Sequence, residues 1–150
     1  MNLELIARNL ADVLSTVPGV RGYPCRVSNY VSSADGLVAA MVVPGPQLVD
    51  YYQAMSGGLA VLNWVIQVRV PAAAEEQAQM RLLRLLSAGA GEPESIYDTV
   101  KPDDLPQTLS GAIDDLKLAA ARVGPADEHP DTPYVGADID VEMMVTRRHA

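Results

Sequence analysis

Residues Tyr134–Thr146 read YVGADIDVEMMVT, and in them Ala137, Ile139, Val141, Met143 and Val145 alternate with Asp138, Asp140 and Glu142. Successive side chains of an extended chain point to opposite faces, so a period of two predicts a β-strand. One face of that strand is apolar and belongs in a core. The other carries three carboxylates about 6.5 to 7 Å apart, near enough to repel one another unless something offsets them. Three readings fit the acidic side: a plainly solvated face, a contact for a partner's arginines, or the lining of a pore.

Working outward, a strand of this length needs a neighbour. Residues 112–123 supply one, and the connection at 124–133, with three prolines and three acids, reads as the tip of a closing hairpin. The strongest central strand is 60–70, where Leu62, Trp64, Ile66, Val68 and Val70 share one face. Residues 23–30 and 37–43 read as two more strands, joined through Ser32-Ser33-Ala34-Asp35-Gly36 as a hairpin. After Pro44-Gly45-Pro46, residues 47–53 read as a short strand. Leu3, Ile6, Leu10 and Val13 with Leu14 follow helical spacing, Asn2 is the expected N-cap, and Pro18-Gly19 stops the run. A second helix is expected to begin at Pro71, with Glu75 and Glu76 in its first turns and Met80, Leu83 and Leu86, flanked by Leu82 and Leu85, as its buried stripe. A short helix over 92–100 closes at Lys101-Pro102-Asp103. The expected fold is α+β, a single domain over residues 1–150: one mostly antiparallel sheet, two main helices on one of its faces, a short helix and a closing hairpin.

At 150 residues and 49% hydrophobic content the chain suits one domain with a real core. Its only cysteine, Cys25, leaves no intrachain disulfide and no multi-cysteine metal site. No uninterrupted apolar run reaches membrane-spanning length, and MNLELIARNL reads as an amphipathic helix rather than an export signal; a soluble cytoplasmic product is the expectation. The formal charge of −8 is lopsided. Residues 1–91 hold six acids and six bases, whereas 92–142 hold thirteen acids against Lys101, Lys117 and Arg122. An acidic second half repels phosphate, so adhesion of nucleic acid to it is disfavoured.

Candidate chemistry is sparse. Asp127, Glu128, His129 and Asp131 have metal-ligand side chains, but they sit in a Pro-rich loop, for which solvation is the simpler account. Cys25 and His129 lie in no nucleophile motif. Gly57-Gly58 and Gly89-Ala90-Gly91 lack the strand-to-helix context of a phosphate loop. Asp114 and Asp115, as neighbours on a strand, would point to opposite faces and so form no acid and base pair. Trp64 is expected in the core. Arg147, Arg148 and His149 read as a basic tail that could clip onto a neighbouring copy. The residues announce no catalytic centre, no cofactor and no metal, and the expectation is a protein that acts through its surfaces.

The amphipathic first helix running into Val17-Pro18-Gly19-Val20, the Val43-Pro44-Gly45 break, VLNWVIQVRV at 61–70, Glu94-Ser95-Ile96-Tyr97-Asp98, Thr108-Leu109-Ser110-Gly111-Ala112-Ile113-Asp114-Asp115 and YVGADIDV at 134–141 together resemble the tail terminators and related head-to-tail joining proteins of long-tailed bacteriophages. The similarity spans nearly the whole chain and lies in packing and turn patterns rather than in catalytic signatures. It implies an α+β virion protein, assembled in the host cytoplasm, that forms a ring, hexameric in that family, at the top of the tail tube. Such a ring ends tube polymerisation and meets the neck while DNA passes without specific binding. Its implied partners are further copies of itself, the tail-tube protein and a neck or head-completion protein, with no membrane. On that picture Asp138, Asp140 and Glu142, with Asp114 or Asp115, would face the channel or a partner, and Arg147 and Arg148 would form an inter-subunit tail. Two other classes stay open: another neck or tail-tube subunit, or a non-viral small-ligand-binding domain with an apolar pocket near Trp64.

Overall fold

Tyr134–Thr146 forms a strand, β5, that pairs antiparallel with Leu59–Pro71, β3, from Leu59 opposite Thr146 to Pro71 opposite Tyr134. The computed structural model describes residues 1–27, 36–51, 58–71, 75–89, 93–125 and 134–146. Three further strands complete the sheet: β1, Val20–Tyr23; β2, Val38–Val49; and β4, Asp115–Pro125. Their order is β1-β2-β3-β5-β4, with β4 and β5 forming the expected closing hairpin. The helices are α1, Leu3–Leu14; α2, Glu75–Leu86; and the short α3, Ile96–Val100. The α+β class, with two main helices on one face of the sheet, is as expected from the sequence.

Strands β3 and β5 alternate, so one face collects their apolar residues, while β2 is buried throughout from Val38 to Val42. Leu62, Ile66 and Val68 of β3 and Val141 and Met143 of β5 are buried, as are Ile6, Leu10 and Leu14 of α1. Asn2 caps α1 by accepting the Leu5 N–H on its side-chain oxygen at 3.1 Å, which satisfies one of the donors a helix start leaves open. Helix α1 lies so close over β1 that a Cβ built on Gly22 would stand 2.1 Å from the Ala11 carbonyl oxygen. Only glycine permits that approach.

Four expectations need correction. The first two strands do not form a hairpin: β1 and β2 run parallel, Val20 opposite Val38 and Tyr23 opposite Met41. Residues 24–37 are long enough for the crossover that a parallel pair requires, and turn-like composition at 32–36 does not reveal which way the chain returns. Of the strand expected at 23–30, only Tyr23 is in β1, and 28–30 lie outside the described residues. The Pro44-Gly45-Pro46 segment does not separate two strands either; β2 runs through it to Val49 with a shift in register. Pro71 ends β3 rather than starting a helix, and α2 is described from Glu75. Finally, the buried stripe of α2 is Ala78, Leu82 and Leu85, while Met80 and Leu83 are 47% and 53% exposed.

Candidate functional site

The second face of the sheet carries a small apolar cluster around Ala39 and Met41 on β2, and on β3, β4 and β5 it carries the polar residues. On β5 these are Asp138, Asp140 and Glu142, and the register sets Arg122 opposite Asp138 and Lys117 opposite Glu142 on β4, with Gln67 and Asn63 opposite the same two on β3. Arg69, further along β3, reaches over to Asp138, Nη1 to Oδ1 3.2 Å, and Nη1 also donates to the Val68 carbonyl at 3.0 Å. Its side chain is almost wholly buried, so this pair is screened less than a surface one. A Cβ on Gly136 would stand 2.9 Å from Nη1 and 2.8 Å from the Val68 oxygen, so the bare glycine leaves room for the guanidinium. Arg122 pairs with Asp140 through its Nη1 and Oδ2.

Two members of the carboxylate ladder are therefore met on their own face, Asp138 by Arg69 and Asp140 by Arg122, while the register sets Lys117 opposite Glu142. Asp138 and Asp140 are half-buried and held by arginines, and Glu142 is the member left exposed. Asp114 and Asp115 do different work. Asp114 accepts the Thr146 N–H at 2.6 Å, fastening the end of β5 to the start of β4. Asp115 accepts the N–H groups of Gln107 at 2.9 Å and Leu116 at 2.8 Å and pairs with Lys101 at 3.3 Å. Partial burial pushes the Asp115 carboxyl up, but the two N–H bonds and the ammonium outweigh it and hold the group below its usual range. Both side chains thus fix the β4 end of the fold.

Two largely apolar features lie toward the edges of the sheet. A groove of 610 Å³ lies where β1 stops and β2 runs on; Leu3, Ala7, Cys25, Val43, Leu48 and Trp64 line it, together with Gln67. Trp64 is 5% exposed, in the core as expected, yet among the described residues its buried Nε1–H meets no acceptor, and the buried Gln67 Oε1 meets no donor. On the opposite edge of the sheet β4 is exposed from 119 to 123, Val123 at 63%. Beside it Leu85, Leu86, Tyr97 and Leu118 frame a smaller cavity of 160 Å³.

The cluster Asp127, Glu128, His129 and Asp131 and the tail residues Arg147, Arg148 and His149 lie outside the described residues. Among the described residues no group of three His, Cys, Asp or Glu side chains gathers as a metal site, and no helix is long and apolar enough to cross a membrane. Sequence reading missed Arg69 as the partner of Asp138. The signal was its parity with Asn63 and Gln67 in an otherwise apolar strand, which assigns it to the polar face. Comparison with known protein families and with characterised proteins gives no match for this chain.

Proposed function

We propose that the protein is a structural virion subunit of a long-tailed bacteriophage, assembling into a ring that caps the tail tube, ends its polymerisation and joins it to the neck while DNA passes. The observation that carries this reading is the asymmetry of the two sheet edges. Among the described residues the β4 edge has no further strand beside it and is exposed from 119 to 123, Ala119-Ala120-Ala121 and Val123 with Arg122 between them, whereas the β1 and β2 edge carries a groove. A ring requires two different, complementary surfaces on each copy, and a chain with unlike edges meets that requirement. The resemblance of the packing and turn patterns to tail terminators and head-to-tail joining proteins supports the same reading, and a hexamer is the ring size it implies. Further copies, the tube protein and a neck protein are the proposed partners.

The polar face of β5 enters this reading in a revised form. With Asp138 and Asp140 held by arginines, an acidic channel lining would rest on Glu142 alone. The same mixed array of charges suits contact with a partner's surface, where complementary charges fix register. The test is functional: the purified chain, added to cognate tail-tube protein during polymerisation, should stop elongation and give short capped tubes. Tubes that lengthen as they do without it would refute the assignment.

A second reading has one observation behind it. The groove at Trp64 is within the size range of small-molecule sites and is mostly apolar. A small-ligand domain would be monomeric or dimeric rather than a ring, and an apolar ligand would change the emission of the single tryptophan saturably.

A further inference from the structure

The two edges of the sheet are finished differently. On the β1 side the outward N–H groups are already taken: Val20 donates to the Val17 carbonyl at 3.1 Å and Gly22 to the Ser15 hydroxyl at 2.9 Å. On the β4 side nothing comparable exists among the described residues, and the backbone of 120–123 bonds to β5 alone. No proline interrupts 115–124, and Lys117 and Arg122, the only charges from 116 to 125, share the polar face with Glu142 and Asp138 rather than pointing into the core. Apart from one shift in register at Leu118 and Ala120, this edge has none of the guards that keep a further strand from adding.

The chemistry of such a strand is set by what lies on either face of β4. On the helix side, beside Ala121, opens the cavity of 160 Å³ framed by Leu85, Leu86, Tyr97, Leu118 and Ile139, with no charged group in its lining. A cavity of about 150 Å³ lined by such residues holds one benzene ring, so this one takes a single leucine- or phenylalanine-sized side chain. On the polar side stand Lys117, exposed and in no ion pair among the described residues, and Arg122, which gives Nη1 to Asp140 yet stays 59% exposed. The other N–H groups of that guanidinium are donors for a second carboxylate. Strand β5 shows which sequence fits these two faces, because it already meets them from the inner side: Ile139 lies opposite Ala121, Asp138 opposite Arg122 and Glu142 opposite Lys117. We infer that the outer edge of β4 is the seat of an extended arm from a partner chain, in which an apolar residue entering the cavity alternates with acidic residues that meet Lys117 and Arg122. The strands of a second copy fit less well. Strand β1 has its outward N–H groups taken, the part of β2 beyond β1 holds Pro44 and Pro46, and another β4 would bring two more cations and no acid from 116 to 125. The inference goes beyond the ring reading and stands without it.

The probe is a synthetic peptide with the sequence of Gly136–Glu142, GADIDVE, and the full chain carries a fluorophore on the exposed Cys25, toward the opposite edge of the sheet. With the labelled chain held dilute and the peptide titrated to excess, thermophoresis should show saturable binding. The same peptide with lysine at its three acidic positions should bind about tenfold more weakly. Ala121→Phe, which fills the cavity from within, should weaken the acidic peptide about tenfold. Lys117→Glu should weaken it about five- to tenfold and strengthen the lysine peptide, an exchange that a merely structural effect would not produce. Both side chains are exposed, so neither variant disturbs the core. Four results overturn the inference: no saturable binding, equal binding of the two peptides, binding that neither variant alters, or a dimer of the unliganded chain that Ala121→Phe returns to monomer, which would give the edge to a second β4. A ring in negative stain without peptide binding leaves the ring reading standing and removes this one, and peptide binding by a chain that never assembles does the reverse.

Discussion

Asp115 shows how much of the acidic half is structural. Its carboxyl is held below its usual range, so its contribution to stability is complete above the unfolded-chain pKa of about 3.9 and is lost as pH falls through the lower folded value. Asp115→Ala should cost about 1–3 kcal/mol at pH 7, since it removes the acceptor of two backbone N–H groups and the partner of Lys101. Denaturant titrations at pH 7 and near pH 3 check this, and the gap from wild type should narrow in acid. Gly136→Ala should destabilise by about 1–3 kcal/mol, because the new methyl displaces Arg69 from Asp138 or strains the backbone at Val68; thermal unfolding reads it. At this scale the sequence displayed the carboxylates of β5 but not their partners. Arg69 is 69 residues away from Asp138 along the chain, and only the β3 to β5 register brings them together.

Among the elements, legibility followed the strength of the period. Helix α1 with its Asn2 cap, the central β3 and the closing β5 all declared themselves, because cap chemistry and strict alternation are local properties. The parallel pairing of β1 with β2 did not, since direction is set by a crossover whose composition resembles that of a turn. Helix α2 misled for a different reason. It carries leucine on two adjacent faces, and the choice between Ala78, Leu82, Leu85 and Met80, Leu83, Leu86 is made by the sheet beneath. Leu82→Ala should therefore cost about 2–5 kcal/mol, and Leu83→Lys should leave the stability of the isolated subunit within about 0.5 kcal/mol. Equal losses in a denaturant titration would restore the stripe read from the sequence.

For the whole molecule, charge and surface lead in different directions. The −10 of residues 92–142 suggests a repelling face, yet Asp138 and Asp140 of β5 are met by arginines and the carboxylates at the start of β4 fasten the backbone. What remains without a neighbour among the described residues is directional: the outer edge of β4 and a mostly apolar groove beside β2, on opposite sides of one sheet. The groove was foreseen only as a pocket near Trp64 in the small-ligand alternative, because it arises where β1 ends. Unlike surfaces that recur on every copy generate rings when the rotation closes and filaments when it does not. Sedimentation velocity across a concentration series, combined with negative-stain images of the heaviest species, tests that claim most directly. The account predicts one discrete assembly with a central hole, whereas a single monomer peak at every concentration would contradict it.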